Sequence, residues 1–161
     1  MKYISFLIIL CVLLTGCGKE EKISKEVQTY QNIVEKLKSQ SFQNTELPCH
    51  LEVSIEKSNG GELMYTVTLD EPKEEMYQVK AVFISLKETE NSYPSIGIFD
   101  ESLNMIPNQV DQEKNIVKGI VLVGYLKTSK NPKEYHDTFR LYLNYQDKNH
   151  KTKTVYYEKK I

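Results

Sequence analysis

The chain has 161 residues, 21 basic and 22 acidic side chains, a formal net charge of −1 and no tryptophan. Its length corresponds to a single domain, and the balanced charge excludes the strongly basic class of nucleic-acid-binding proteins. Arg140 is the only arginine, so the bidentate guanidinium contacts that recognise phosphate are almost absent. We therefore expect no nucleic-acid partner.

An uncharged apolar stretch begins directly after Lys2. Residues 3–14 are mostly aliphatic and carry no charge. This is the length of a signal-peptide core, and it is shorter than the roughly 20 residues of a membrane-spanning helix. The small residues Thr15 and Gly16 follow and leave the backbone accessible to a peptidase. These features predict an export signal over residues 1–16.

The run Leu14-Thr15-Gly16-Cys17 resembles the lipobox of bacterial lipoproteins. The resemblance implies cleavage between Gly16 and Cys17, a diacylglyceryl group on the Cys17 thiol and often a further acyl chain, such as palmitate, on the new amino group. Two or three chains, at about 0.8 kcal/mol per buried methylene, form an effectively permanent anchor. The chain thus resembles a small lipoprotein of Gram-positive type, held at the extracytoplasmic face of the cell membrane. An ordinary signal peptide or an uncleaved anchor is the alternative.

Loss of residues 1–16 leaves 145 residues with a net charge of −2. Residues 17–22 are short and charged and predict an extended tether of roughly 20 Å. Residues 23–42 predict an amphipathic helix, because apolar side chains recur at spacings of four and three. Two heptads are too few for a coiled coil, so we expect this stripe to pack on the protein's own sheet. A partner helix or the membrane surface is the alternative. The stripe consists of Ile23, Val27, Tyr30, Val34 and Leu37.

Residues 50–161 have an apolar period of two and are predicted to form a β domain. Asn59-Gly60 between two alternating runs predicts a hairpin. Residues 116–126 are apolar on both faces, which predicts a central strand. The seven predicted strands cover residues 51–55, 63–69, 77–86, 96–99, 116–126, 138–145 and 152–157.

Seven short strands with polar turns between them predict a mainly β fold. We expect a seven-stranded antiparallel immunoglobulin-like sandwich preceded by one amphipathic α-helix. A small β-barrel is the alternative. The likeness is one of architecture, because the tryptophan and the bridging cysteine pair of antibody domains are missing.

The sequence contains no common catalytic or metal-binding motif. It has no Gly-x-Ser-x-Gly, no phosphate-binding glycine loop, no His-Glu-x-x-His and no Cys-x-x-Cys. His50, His136 and His150 lack ligand spacing and lie in or beside charged turns, so we expect surface histidines. Acidic neighbours such as Asp70-Glu71 fall in predicted loops and match no calcium-binding loop. We therefore predict no enzymatic activity, no catalytic residue, no metal and no cofactor.

Cys49 is the only cysteine left once Cys11 is removed with the signal and Cys17 is acylated. Cys49 and His50 are neighbours, and neighbours on an extended segment point to opposite faces, so they do not easily form a catalytic dyad. We expect a small apolar thiol at the start of a strand. An exposed thiol that dimerises or is redox-active is the alternative.

Tyrosine is concentrated near the end of the chain, where six of the eleven lie between Tyr125 and Tyr157. Tyrosine buries a large area at low entropic cost while its hydroxyl stays hydrated. Tyr142, Tyr156 and Tyr157, on the expected exposed side of the last hairpin, are therefore the candidate binding surface. The alternative is that these rings fill half-buried cross-strand positions.

An anchor, a tether and a sandwich without reaction chemistry predict a lipid-anchored extracytoplasmic binding module. Its partner would be a protein, a peptide or a cell-wall component, bound by the sandwich loops or by an open sheet edge. One alternative is a structural or assembly component of an envelope complex that docks through the helix stripe. The other is a thiol- or carboxylate-dependent enzyme.

Overall fold

The computed structural model describes residues 24–87, 93–128 and 130–161 of the chain. The predicted signal peptide, the tether and the lipidation site Cys17 lie outside these residues. The described part contains one α-helix, α1, and eight β-strands. Their bounds are α1 Lys25–Ser39, β1 His50–Lys57, β2 Leu63–Asp70, β3 Met76–Ser85, β4 Ser95–Ile96, β5 Leu103–Met105, β6 Gly119–Leu126, β7 Thr138–Gln146 and β8 Thr152–Lys160.

Two antiparallel sheets pack face to face. One has three strands in the order β1-β2-β6, and the other has five, in the order β4-β3-β7-β8 with β5 also paired to β3. The orders β1-β2-β6 and β3-β7-β8 correspond to strands A-B-E and C-F-G of an immunoglobulin-like sandwich. The described strands do not close into a ring. The predicted mainly β sandwich with one helix is confirmed, and the barrel alternative is not the fold observed.

Three aromatic rings fill the centre of the core between the sheets. Tyr65 of β2 lies 5.8 Å from Phe83 of β3 and 5.1 Å from Phe139 of β7, measured between ring centroids. Phe83 and Phe139 stack at 5.3 Å. All three are almost completely buried, and each such pair contributes roughly 0.5–1.5 kcal/mol beyond the area that it buries.

Helix α1 covers the outer face of the five-stranded sheet. The Ser24 hydroxyl accepts a hydrogen bond from the Val27 N–H at 3.3 Å and so caps the start of the helix. Val34 and Leu37 are buried against two residues of β3, Val82 and Ile84. The prediction that the stripe packs on the protein's own sheet is confirmed for Tyr30, Val34 and Leu37, whereas Ile23 lies outside the described residues. This packing also explains why β3 is apolar on both faces.

The prediction of a central strand over residues 116–126 is wrong. Strand β6 begins only at Gly119 and pairs with β2 alone among the described strands, so it lies at the edge of its sheet. The residues before it run beside β5 instead, and the Val117 N–H donates to the Asn104 carbonyl oxygen at 2.9 Å. One face of β6 packs into the core, and the other, equally apolar, is exposed.

The described residues form eight strands rather than seven, because β5 was not predicted. It has three residues, too few to show an alternating pattern. It pairs with β3 beside a bulge at Gln78, whose φ is +51°. The Asn104 side-chain oxygen accepts the Gln78 N–H at 2.9 Å, so the amide released from the ladder by the bulge remains bonded.

Gly124 in β6 is required by its neighbour across the ladder. It is paired with Tyr65, and a Cβ atom at position 124 would lie 2.3 Å from the tyrosine Cζ. Only the absence of a side chain lets β6 pass over this ring. The glycine therefore couples the position of β6 to the aromatic core.

Candidate functional site

The outward side of β6 carries the candidate site. Four alternate residues of the strand face the core, and three of the other four are exposed: Val121 by 59%, Val123 by 44% and Tyr125 by 47%. We call these three side chains, together with the backbone edge of β6 that faces away from β2, the β6 edge surface. On the neighbouring strand they lie opposite Thr68, Thr66 and Met64.

The β6 edge surface lacks the features that normally protect a sheet edge. Gly119–Leu126 contains no charged residue and no proline, although natural edge strands usually carry one or the other to discourage pairing with another chain. Within the described part of the chain, the one backbone bond to this strand from outside the sheet is from the Thr128 N–H to the Leu126 carbonyl oxygen. Its free N–H and C=O groups are therefore available to a further strand.

The other sheet edges are occupied or charged. Strand β1 presents Glu52 and Glu56 to solvent, and the short 3₁₀-helix Pro132–Glu134 lies close to it. At β8, the Asn44 side chain accepts the Glu158 N–H at 2.8 Å and donates to the Glu158 carbonyl oxygen at 2.9 Å. The remaining edge, beside β3, is covered by β4 and β5. The β6 edge surface is thus the least protected edge among the residues described.

The predicted tyrosine surface is not an exposed face. Tyr142 and Tyr156 are half-buried in the layer beneath α1, with ring centroids 5.6 Å apart, and Phe42 stacks on Tyr156 at 4.7 Å. Burial raises the pKa of the Tyr142 hydroxyl. Tyr157 packs instead against the core between the sheets. The expected exposure was wrong, and the three rings occupy half-buried cross-strand positions.

Arg140 joins α1 to the sheet. Its Nη1 donates to the carbonyl oxygens of Leu37 and Gln40, each at 2.6 Å. Its Nε and Nη2 both lie 3.1 Å from the Glu158 carboxylate, and its guanidinium lies 5.4 Å from the centroid of the Phe42 ring. The only arginine of the chain therefore satisfies carbonyl groups at the helix C-terminus.

Cys49 and His50 lie on opposite sides of the sheet, as predicted. Cys49 is a free thiol with 3% exposure, and burial, with a smaller effect of the nearby Asp70 carboxylate, raises its pKa to about 11. His50 is exposed, and its Nδ1 lies 2.8 Å from Asp70 Oδ1, a hydrogen bond that raises the pKa of the imidazole. A thiol protonated at neutral pH is a poor nucleophile, so this pair forms no catalytic dyad.

Titratable groups also converge beside the turn between β7 and β8, at a cleft of about 540 Å³. Lys153 Nζ lies 2.7 Å from Glu74 Oε2 and 3.7 Å from Asp147 Oδ2, and the Tyr145 hydroxyl donates to Glu74 Oε1 at 2.6 Å. The Lys153 and Tyr145 hydrogen bonds hold the pKa of Glu74 below its usual range. Each group is paired with a neighbour, as expected for a network that fixes the turn.

Metal-binding and membrane-spanning features are not found in residues 24–87, 93–128 and 130–161. No three side chains of His, Cys, Asp or Glu gather there in a way that could hold a metal ion. His136 and His150 are exposed and separate. No described helix has the length and apolar character needed to cross a bilayer.

Comparison with known proteins gives no assignment. No protein-family model matches the chain, and no curated protein or solved structure is significantly similar to it. We therefore infer the function from the residues and their geometry.

Sequence reasoning missed the exposed residues of β6. Val121, Val123 and Tyr125 alternate with equally apolar residues, so the pattern indicated a strand covered on both faces. The only local indication of an edge strand was that a lysine lies at each end of the uncharged run, Lys118 before it and Lys127 after it. That signal fits an edge strand and a central strand equally well.

Proposed function

We propose that the chain is a lipid-anchored, extracytoplasmic interaction module without catalytic chemistry, which binds an extended protein or peptide segment at the β6 edge surface. The observation that carries the proposal is an uncharged edge strand with three exposed apolar side chains, in a molecule whose other edges are charged, paired or capped. An added strand would gain main-chain hydrogen bonds from the edge and side-chain contacts from the apolar stripe.

The apolar stripe makes strand addition favourable. Val121, Val123 and Tyr125 project from one face, and covering a side chain of this size completely contributes roughly 1.5–3 kcal/mol. Because each is already about half covered and an added strand would pack beside these side chains, the gain per residue is at most about half of that range. If a bound segment has apolar residues at alternate positions, they would lie beside Val121, Val123 and Tyr125 and extend the apolar stripe onto the added strand.

The anchor is proposed from the lipobox-like run that ends in Cys17. Helix α1 begins after Ser24, seven residues beyond that cysteine, so an extended linker would hold the folded body within about 25 Å of the bilayer. Mass spectrometry of the mature chain tests this directly, since a diacylated or triacylated N-terminal Cys17 is expected. A mature chain in which Cys17 carries no acyl group would contradict the anchor.

The binding surface is tested by photo-crosslinking in cells that carry the full chain. A photoreactive phenylalanine analogue at position 123 should give a protein adduct, whereas the same analogue at position 54 should not. Ser54 is a matched control, because it is also exposed on the outer face of the three-stranded sheet, but on the other edge strand. Equal adducts at both positions, or none at position 123, would overturn the proposed surface.

Other functions have less support. Assembly through the helix stripe is disfavoured, because Val34 and Leu37 are already packed on β3. Catalysis by a thiol is disfavoured by the burial and the raised pKa of Cys49.

A further inference from the structure

We infer that the segment bound at the β6 edge surface is β6 of a second copy of this chain, paired antiparallel about a two-fold axis at Val123. The inference rests on the proposed function, since it names the occupant of the same surface. Two three-stranded sheets would then join into one continuous sheet of six strands.

The β6 edge surface is chemically complementary to itself. The strand that would pair best with this edge is uncharged and has apolar residues on one face. Gly119–Leu126 is itself such a strand. In a dimer with two-fold symmetry, both copies contribute the same surface to the contact. A surface that is complementary to itself is therefore sufficient to form such a dimer. With no charge between Lys118 and Lys127, no like charges face each other along the paired strands.

The alternation of inward and outward residues in β6 determines the pairing register. Residues directly opposite each other in an antiparallel pair lie on the same face, so only registers that place outward residues opposite outward residues keep both cores buried. With Val123 opposite Val123 of the partner copy, each Val121 meets the Tyr125 of the other copy. These aromatic–aliphatic and aliphatic pairs are among the favourable cross-strand combinations.

The lysines that flank the strand agree with this register. Lys127 would lie opposite Gly119, which has no side chain, and Lys118 would lie opposite Thr128. Shifting the axis by half a residue would instead place Lys118 opposite Lys127 at both ends and set outward residues against inward ones. The register centred on Val123 is therefore favoured by both charge and packing.

Disulfide trapping tests the contact in the full-length anchored protein in membranes. Val123→Cys should form a disulfide-linked dimer under mild oxidation, because opposed residues have Cα atoms about 4.5–5.5 Å apart. Val121→Cys alone should not form this dimer. The two Val121 residues of the pair would be offset by four residues, which is about 13 Å along the strand. The same holds for Tyr125→Cys alone, whereas an equal mixture of these two variants should cross-link.

The design has internal controls. Cys49 is buried, and the wild-type chain gives the background from the native cysteines. All three substituted side chains are exposed, so the unfolding midpoint of each variant should stay near that of the wild type. Val123→Lys places two like charges at the two-fold axis. When it is added to both the Val121→Cys and the Tyr125→Cys variant, their mixture should no longer form the disulfide-linked dimer. Ser54→Lys, added in the same way, should leave that dimer unchanged.

The outcomes separate this inference from the proposed function. The inference is overturned if Val123→Cys gives no dimer above background, or if each single variant links as readily as Val123→Cys. In the photo-crosslinking experiment at position 123, an adduct containing only peptides of this chain supports the second copy. An adduct containing only a foreign protein overturns the second copy and leaves the proposed function standing, and no adduct overturns both.

Discussion

Arg140 donates from Nη1 to the carbonyl oxygen of Leu37 at 2.6 Å, across 103 residues of sequence. The same nitrogen reaches the Gln40 carbonyl oxygen, and the guanidinium is held by Glu158 on β8. One side chain therefore links the end of α1, strand β7 and strand β8. The helix layer depends on this contact as well as on its apolar stripe.

Replacing Arg140 with methionine should destabilise the fold by roughly 2–4 kcal/mol, because it removes charge-assisted hydrogen bonds and leaves the partly buried Glu158 carboxylate unpaired. Arg140→Lys should fall between methionine and the wild type, since an ammonium group cannot reproduce the planar fork. Urea denaturation measures both effects. Lys57→Met, at an exposed position of β1, is the control, and an equal loss in Arg140→Met and Lys57→Met would refute the role of Arg140.

Gly124→Ala should be destabilising by about 1–3 kcal/mol, because its Cβ would overlap the buried Tyr65 ring. Gly60→Ala is the matched control, since a Cβ at position 60 would approach no atom closer than 3.7 Å. Thermal unfolding compares the two variants.

A double-mutant cycle with Tyr65→Leu isolates the clash. The cost of Gly124→Ala should shrink when the ring is absent, because the overlapping atoms have been removed. If the two substitutions were additive, the close approach would not be the cause of the loss.

The His50–Asp70 contact predicts a pH-dependent stability. The pKa of His50 is raised in the folded state by its hydrogen bond to Asp70, so the stabilisation is fully present below the ordinary histidine pKa of about 6.5 and is lost as pH rises through the higher folded value. An NMR titration of the imidazole measures the shift. Asp70→Asn should return the pKa of His50 towards its ordinary value, and an unchanged titration in that variant would show that the carboxylate is not responsible.

Cys49 should be unreactive towards thiol reagents at neutral pH in the folded protein, because burial raises its pKa to about 11 and blocks access. Labelling of the native wild type should therefore equal that of Cys49→Ala, and one additional thiol should react in the wild type after unfolding in urea. Faster labelling of the native wild type than of Cys49→Ala would indicate an accessible thiol.

Local patterns were sufficient to predict most of the architecture. The stripe containing Val34 and Leu37 predicted α1, and Asn59-Gly60 predicted the hairpin in which Lys57 pairs with Leu63. Both features depend on residues close in sequence, where helical period and turn chemistry act directly.

The errors concern which strand face is covered. Whether Val123 or Tyr156 is exposed depends on what packs over its strand, and that is decided by segments distant in sequence. Tyr156 is covered by α1 and Phe42, whereas no described element covers the outward face of β6. The role of Arg140 was unpredictable for the same reason, since its partners lie about 100 residues away.

Asn44 has a consequence for how large any assembly can become. Its side chain already bonds both backbone groups of Glu158 on β8. The edge of β8 is therefore blocked against pairing with a strand of another molecule. A protein with one open sheet edge can form a dimer through that edge. It cannot polymerise by adding strands, because the dimer leaves no open edge for a third copy. The Asn44 side chain thus limits the complex to a pair, and Asn44→Ala should favour aggregation by exposing the backbone of β8.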